Sequence, residues 1–184
     1  MGLKRSFKLT NELNYDIDTY TEWTIAGTGT TKGITGIHLV QDPSNGYALL
    51  STNLKTDTKY GLLYSVYEST LDNYFIILQS GAALDLSDIV TSAVILNKTT
   101  GNNKATFTTR SSIPKNTLAF VNVVANTNGT YINFGNVRLF ELPTGSQIET
   151  DFTNLTADQL SQLYPWFRYN LSISGKFGGS IGLR

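Results

Sequence analysis

Apolar and polar residues alternate most clearly on either side of the polar segment 126–129. The two flanking runs, which together span residues 117–142, are rich in β-branched and aromatic side chains, and the segment between them ends in Asn-Gly. Asn-Gly between two such runs is typical of a tight hairpin turn, because both central positions of that turn need positive φ. We therefore predict a β-hairpin over residues 117–142, with a bulge or kink at Gly135.

The same alternation predicts which side chains of this hairpin face the core. Ile132 and Phe134 share one face of the second strand, and Tyr131 and Asn133 share the other. We expect the apolar pair in the core and the polar pair on an exposed sheet face. Asn122, on the first strand, would then be their neighbour across the hairpin.

A second alternating run covers residues 58–69. One face of this run, which we assign to the core, carries four large side chains: Tyr60, Leu62, Tyr64 and Val66. Tyr67 falls on the opposite face. Roughly ten short apolar runs recur along the chain at 8–12-residue spacing between Gly, Asn and Pro, which is typical of a β-sandwich or barrel. The Gly- and Thr-rich segment 27–36 predicts a mobile loop.

The pattern predicts only one helix. Thr156 and Gln159 fit the S/T-x-x-E/Q capping box, and three leucines between residues 155 and 163 form a short apolar stripe. The sequence after this helix becomes rich in Gly, which is typical of a linker. We therefore divide the chain into a sandwich domain at residues 1–142 and a short helical appendage with a Gly-rich linker at residues 143–184.

The composition disfavours several functional classes. The 184 residues carry 14 basic and 14 acidic side chains, and no basic run that would suit nucleic acid. No apolar segment reaches transmembrane length, so we do not expect membrane insertion. Cysteine is absent and His38 is the only histidine, so neither a thiolate site nor a multi-histidine metal site forms within one chain.

Three segments together resemble the jelly-roll carbohydrate-binding modules that accompany glycoside hydrolases. Residues 54–64, LKTDTKYGLLY, are similar to the L-x-x-x-x-x-Y-x-L-x-Y/F strand of those modules. Residues 107–114 are similar to their penultimate segment, and residues 131–142 to their closing strand. The resemblance covers residues 3–142. It implies an all-β jelly-roll sandwich of two antiparallel sheets that binds glycan without catalysis.

The closing strand departs from that family at one point. In the family it often carries an Asp pair that helps to hold a structural calcium, and here the positions are Phe134, Gly135 and Asn136. Ca²⁺ prefers several oxygen ligands that include carboxylates. We therefore predict neither a metal site nor a cofactor.

The end of the sandwich and the segment after it resemble a different class. Residues 140–152, FELPTGSQIETDF, are followed by LTADQL at residues 155–160 and by Tyr164-Pro165. This succession is similar to the segment that follows carbohydrate-binding-like domains in bacteriophage and prophage tail proteins. The resemblance implies an extracellular location in a virion tail, with other tail or baseplate proteins as partners.

A saccharide site needs flat aromatic faces for the apolar side of a sugar ring, and amides or charged groups for its hydroxyls. We therefore nominate polar and aromatic residues that are expected on one sheet face or at the ends of strands: Tyr67, Tyr131, Asn133, Asn122, Gln79 and Trp23. The alternative for each aromatic residue is half-buried packing, and a single Trp in an early sandwich strand is usually part of the core.

No catalytic residue is predicted. His38 lies within the apolar run 37–40, where a structural role is the default interpretation. A glycosidase needs only two carboxylates, and Asp16, Asp18 and Glu22 are close in sequence. Acidic loops of this kind usually form turns or solvated surface.

These observations predict a non-enzymatic, glycan-binding jelly-roll module of a phage tail or baseplate protein. Its expected partner is a bacterial cell-surface or cell-wall polysaccharide, bound weakly by many copies at once. Two alternatives stay open, namely a purely structural domain that packs into a trimeric tail fibre, and a binding module of a secreted polysaccharide hydrolase. A third alternative, ranked after these two, is that the protein is itself a hydrolase.

Overall fold

Ten β-strands and two helices lie in the part of the chain that the computed structural model describes, namely residues 12–13, 20–43, 46–52, 54–80, 94–109, 117–123 and 125–165. The strands are β1 (Thr24–Ala26), β2 (Thr31–Gly33), β3 (Gly36–Val40), β4 (Tyr47–Ser51), β5 (Lys59–Ser69), β6 (Phe75–Ser80), β7 (Val94–Leu96), β8 (Gly101–Thr108), β9 (Thr117–Asn122) and β10 (Tyr131–Glu141). The helices are α1 (Gln147–Asn154) and α2 (Ala157–Leu163). Asp16, Asp18 and the Gly-rich residues 170–184 lie outside the described residues.

Two five-stranded sheets form the sandwich. Sheet I has the strand order β1-β4-β9-β6-β7, and sheet II has the order β2-β3-β10-β5-β8. Every pair of neighbouring strands is antiparallel. Most neighbours are distant in sequence, as the double Greek-key connections of a jelly roll require. The predicted jelly-roll sandwich of two antiparallel sheets is confirmed.

β5 and β10 lie side by side in sheet II, and their alternating side chains give the sheet an inner and an outer face. Tyr60, Tyr64, Ile132 and Phe134 are buried in the core between the sheets, as predicted. Aromatic rings join the two sheets there, and the ring centroids of Phe120 and Phe134 lie 5.1 Å apart. Burial of one face imposes a period of two on the sequence, which is why the inner residues could be identified in advance.

The predicted hairpin over residues 117–142 is wrong. β9 pairs with β4 and β6 in sheet I, whereas β10 pairs with β3 and β5 in sheet II. The connection between them therefore crosses from one sheet to the other. Asn126 is buried in this crossing, and its amide donates to the carbonyl oxygen of Tyr74 (2.7 Å) and to Asn122 Oδ1 (2.8 Å). The Asn-rich sequence thus provides side-chain hydrogen bonds to a crossing rather than a two-residue turn.

The segment 27–36, predicted as a loop, contains a strand. β2 pairs with β3 in a hairpin whose register places Thr31 opposite His38 and whose turn lies at residues 34–35. β2 is at the edge of sheet II, and its side chains are exposed or half-buried. A short edge strand of this kind needs no apolar alternation, so its sequence resembles that of a loop.

The two helices pack on the outer face of sheet II and form a second apolar cluster there. Its buried members are Leu63, Phe140, Leu142, Phe152, Leu160 and Tyr164. The predicted capping box of α2 is confirmed, with Gln159 N–H donating to Thr156 Oγ1 (3.2 Å) and Thr156 N–H donating to Gln159 Oε1 (2.9 Å). α1 is an additional helix that was not predicted. Within the described part of the chain, neither helix has the length and apolar character needed to cross a bilayer.

Three lysine ammonium groups, which we call the lysine anchors, each donate to two backbone carbonyl oxygens. Lys104 Nζ binds the carbonyls of Phe152 (2.7 Å) and Leu155 (2.6 Å), at the end of α1. The other two anchors join Lys32 to the carbonyls of Thr21 and Trp23, and Lys98 to those of Leu71 and Asp72. Hydrogen bonds from charged donors are stronger than neutral ones, so the Lys104 anchor helps to hold α1 on the sheet.

Candidate functional site

The outer face of sheet II has a covered half and an open half. The helices pack over Leu63 and Phe140, which lie in the first half of β5 and the second half of β10. The opposite ends of these two strands carry Tyr67, Glu68 and Asn133, which are exposed or half-buried. The open half of this face is therefore an accessible surface that combines aromatic and polar side chains.

A shallow groove of about 490 Å³ lies on the open half. Its described lining residues come from the β2–β3 turn, from β5 and from β10, and they are Ile34, Thr35, Tyr67, Glu68 and Asn133. Ile34 is 84% exposed and Tyr67 is 44% exposed, so apolar surface of both side chains is accessible. The groove therefore has apolar and polar walls within reach of one small ligand.

A β-bulge places Tyr67 and Glu68 side by side in this groove. Asn133 of β10 is opposite Glu68 of β5, and the next residue, Phe134, is opposite Val66. Two residues of β10 therefore pair with a stretch of three residues in β5, and Tyr67 is the extra residue. Strict alternation would have put Tyr67 and Glu68 on opposite faces of the sheet. The bulge brings an aromatic ring and a carboxylate onto the same face.

Tyr67 is held in place by a hydrogen bond to a buried tyrosine and by close packing against two glycines. Its hydroxyl is hydrogen-bonded to the hydroxyl of the buried Tyr20, whose oxygen also accepts from Asn136 N–H (3.1 Å). The ring passes close to two glycines on neighbouring strands, because a Cβ atom at Gly36 or Gly135 would lie only 3.0 or 3.1 Å from Tyr67 Cε2. Burial raises the pKa of Tyr67. The residue therefore presents a fixed, uncharged ring to the groove.

Hydrogen bonds link three side chains that lie opposite one another on neighbouring strands of sheet II, namely His38, Asn133 and Glu68. We call these three residues, together with Tyr131, the polar row. Asn133 Nδ2 donates to Glu68 Oε2 (3.2 Å), and Asn133 Oδ1 lies 2.5 Å from His38 Nδ1. An ionised carboxylate only accepts hydrogen bonds, so it fixes the orientation of the Asn133 amide. His38 Nδ1 must then carry a proton and donate it.

Tyr131 completes the polar row. Its hydroxyl donates to Glu68 Oε1 (2.7 Å), and its ring centroid lies 4.7 Å from that of His38. The hydrogen bond to Glu68 raises the pKa of Tyr131, and burial and the negative charge of Glu68 act in the same direction. Tyr131 therefore remains a hydrogen-bond donor, and both oxygens of Glu68 have a fixed partner.

This arrangement suits a small ligand with an apolar face and several hydroxyl groups. Tyr67 offers a flat ring, and the polar row offers oriented donors and acceptors beside it. Within the described residues, no group of three or more His, Asp or Glu side chains is placed to hold a metal ion.

The structure brings three of the nominated residues together, namely Tyr67, Tyr131 and Asn133, and their contact with a ligand stays a prediction. The surface positions expected for Asn122 and Trp23 are wrong. Asn122 shares the inner face of β9 with Leu118 and Phe120, so it is 0% exposed. Its amide donates towards the carbonyls of Leu39 (3.4 Å) and Thr130 (3.3 Å).

Trp23 is 1% exposed and belongs to the core, where its ring centroid lies 5.4 Å from that of Phe120. The backbone of Gln79 pairs with Leu118 in sheet I. The side chain of Gln79 lies outside what the structure describes. Neither residue therefore adds a described side chain to the groove.

Sequence reasoning missed Ile34, Thr35, Glu68 and His38. The two turn residues lie in a segment whose sequence resembles a loop. Glu68 was not nominated, because strict alternation places it on the face opposite Tyr67 and the bulge that brings the two together is not visible in the sequence. His38 was recognised as a strand histidine, but its partner Asn133 is set by the register of β3 against β10. Alternation along β5 and β10 supplied the usable signal, and it identified Tyr67, Tyr131 and Asn133.

No known protein family matches the sequence, and no curated protein matches it. Among solved structures, a family 29 carbohydrate-binding module is similar with a TM-score of 0.46 and 14% identity, over 83% of this chain and 95% of that one. The K3 cleaved adhesin domain of Lys-gingipain from Porphyromonas gingivalis is similar with a TM-score of 0.46 and 13% identity, over 74% and 99% of the two chains.

The N-terminal endo-1,4-β-D-xylanase 10B of Clostridium thermocellum, in complex with xylohexaose, is similar with a TM-score of 0.44 and 13% identity, over 76% of this chain and 28% of that one. Identities of this size carry no binding residue over to this chain.

Proposed function

We propose that this protein is a non-catalytic glycan-binding module, and that the groove on the open half of sheet II is its saccharide site. The observation that carries the proposal is the exposed ring of Tyr67, fixed by Tyr20 beside the hydrogen-bonded polar row. The apolar C–H face of a sugar ring would stack on Tyr67, and its hydroxyls would meet Glu68 and Asn133.

The dimensions of the groove favour a short saccharide. Its volume of about 490 Å³ lies within the roughly 300–1,000 Å³ of small-ligand sites, and its shape is shallow. A shallow site buries only part of its ligand, so we expect weak binding by one copy. Several linked copies would gain avidity through effective concentration.

Glycan-array binding or titration with purified bacterial cell-wall polysaccharides tests the proposal. Tyr67→Ala should lower affinity for a bound saccharide by roughly fivefold, since a stacked ring contributes on the order of 1 kcal/mol. Tyr74→Ala is the matched control, because Tyr74 is similarly exposed (38%) but is not among the residues that line the groove.

Two results would count against the groove. Equal losses in Tyr67→Ala and Tyr74→Ala would show that the effect is not local. Absence of binding to any glycan in multivalent display would favour the structural alternative, which expects a trimer in solution with Tyr67 buried at its interface. Light scattering on the same samples measures that assembly state directly.

We also propose that the module acts at an extracellular virion tail, beside other tail or baseplate proteins. The support for this is the resemblance of residues 140–165 to phage tail proteins, a segment that includes α1 and α2. Mass spectrometry of purified particles from the producing bacterium tests it. If the protein is absent from particles and is secreted with a polysaccharide hydrolase, the module belongs to such an enzyme instead.

A further inference from the structure

We infer that Glu68 makes the groove selective for uncharged saccharides and against acidic ones such as uronic-acid polymers. This inference rests on the proposed function, since it concerns the ligand class of the same groove. Its starting point is the position of a carboxylate, next to the exposed ring of Tyr67, where a stacked sugar would carry its substituents.

The carboxylate of Glu68 is fixed from both sides. Tyr131 donates to Oε1 (2.7 Å) and Asn133 donates to Oε2 (3.2 Å). Each oxygen has a further lone pair for a ligand donor, and sugar hydroxyls are such donors. A ligand carboxylate has no proton to donate at neutral pH. It would therefore be repelled by the negative charge of Glu68, whose orientation is fixed by Tyr131 and Asn133.

No cation compensates this charge among the described residues that line the groove. Glu68 is the only charged one of them. Arg138 is the positive charge that acts on Tyr67, but its side chain is buried and its Nη1 donates to the carbonyl of Tyr164 (2.7 Å) beneath α2. It therefore cannot reach out to pair with an acidic ligand.

The size of the expected preference follows from Coulomb repulsion. A ligand carboxylate about 5 Å from Glu68 would bind roughly fourfold more weakly in a water-like dielectric, and more weakly still where the ligand displaces water. The effect must fall as salt is added, because the groove is open to solvent. These two properties distinguish repulsion from a difference in shape.

Matched pairs of oligosaccharides of equal length provide the test: galactan with galacturonan, mannan with mannuronan, and glucan with glucuronan. Titrations at low salt leave the repulsion least screened. For the best-bound pair, the wild type should favour the uncharged member by at least about fourfold. Glu68→Gln keeps an acceptor for Tyr131 and should reduce this ratio to less than about twofold.

Asp57→Asn is the matched control. It removes the same charge from a turn at the other end of β5, roughly 30 Å from Glu68, where the Coulomb energy is about sixfold smaller than at 5 Å even without screening. The ratio should stay at its wild-type value in this variant. A salt titration of the wild type, in which the ratio should narrow, tests the inference even if Glu68→Gln binds neither member.

The outcomes separate the two proposals. A wild type that binds the charged and uncharged members of its best pair equally, or a preference that salt does not change, overturns the role of Glu68 and leaves the glycan site intact. A wild type that binds no member of any pair, in multivalent display, counts against the glycan site itself. Loss of the ratio in Asp57→Asn as well would also overturn the inference, because the charge effect would then be non-local.

Discussion

Gly135 lies against the side chain of Tyr67, and replacing this glycine with alanine should displace the Tyr67 ring. A Cβ atom at this position would stand 2.3 Å from Tyr20 Oη and 2.9 Å from Tyr67 Oη. Distances under 3.0 Å require one of the atoms to move. Tyr20 is buried and also accepts from Asn136 N–H, whereas Tyr67 is partly exposed, so the Tyr67 ring should move outward.

The expected magnitude combines three contributions. Overpacking of this kind costs about 1–3 kcal/mol, and loss of the hydrogen bond between Tyr20 and Tyr67 adds about 0.5–1.5 kcal/mol. The reduced freedom of the unfolded chain offsets about 0.4–1 kcal/mol. Gly135→Ala should therefore lower the free energy of unfolding by about 0.5–4 kcal/mol, with a central value of about 2 kcal/mol, and weaken saccharide binding in the same direction as Tyr67→Ala.

Urea unfolding measures this change, and Gly33→Ala is the control. A Cβ at Gly33 would meet nothing within 4 Å, so that variant should be as stable as the wild type or slightly more stable. Tyr20→Phe removes the oxygen that lies 2.3 Å from the new methyl group. In that background Gly135→Ala should therefore be less destabilising, by about 0.5 kcal/mol or more in a double-mutant cycle.

Equal unfolding free energies for Gly135→Ala and Gly33→Ala would refute the predicted clash. Absence of coupling between residues 20 and 135 in the double-mutant cycle would also refute it, because the clash would then not involve the Tyr20 hydroxyl. Destabilisation without any change in saccharide affinity would show that the support of Tyr67 does not matter for binding.

Two further predictions concern the helices. Lys104→Met should lower the free energy of unfolding by about 1.5–3 kcal/mol, because two carbonyl oxygens lose a charged donor. Lys59→Met removes only an exposed ion pair with Glu149 and should lower it by less than about 1 kcal/mol. Equal effects of the two substitutions in urea unfolding would contradict this prediction. The hydrogen bond from Lys59 lowers the pKa of Glu149 below its ordinary 4.5, as does the N–H of Gly145. This stabilisation is present above the ordinary pKa and is lost as pH falls through the folded value, so Glu149→Gln should lose less stability than the wild type between pH 5 and 3. Parallel curves for the two proteins would refute the role of Glu149.

Sequence patterns predicted the faces of strands better than their partners. Tyr131 and Asn133 were assigned to the outer face of β10 correctly, because burial of Ile132 and Phe134 imposes alternation. The pairing of β10 depends on contacts between distant parts of the chain, which no local pattern contains. The same limit hid the bulge at Tyr67, since a bulge is defined by the register of two strands.

α1 was missed although a local signal was present. Ser146 and Glu149 fit the same S/T-x-x-E/Q pattern that identified α2, and Ser146 Oγ accepts from Glu149 N–H (3.3 Å). The apolar stripe of α1 is weak, because Phe152 is its only buried residue. A helix of eight residues with one buried side chain depends on the surface that receives it more than on its own propensity.

The lysine anchors have a practical consequence for how this protein is handled. Each of the three ammonium groups is held by carbonyl oxygens that need a donor, so a reagent that acylates amines removes both the charge and two of the three protons. Coupling to a biosensor chip through amine-reactive esters, or labelling with an ester dye, would therefore break the hydrogen bonds between these lysines and the backbone carbonyls. Capture through a terminal tag leaves the anchors intact.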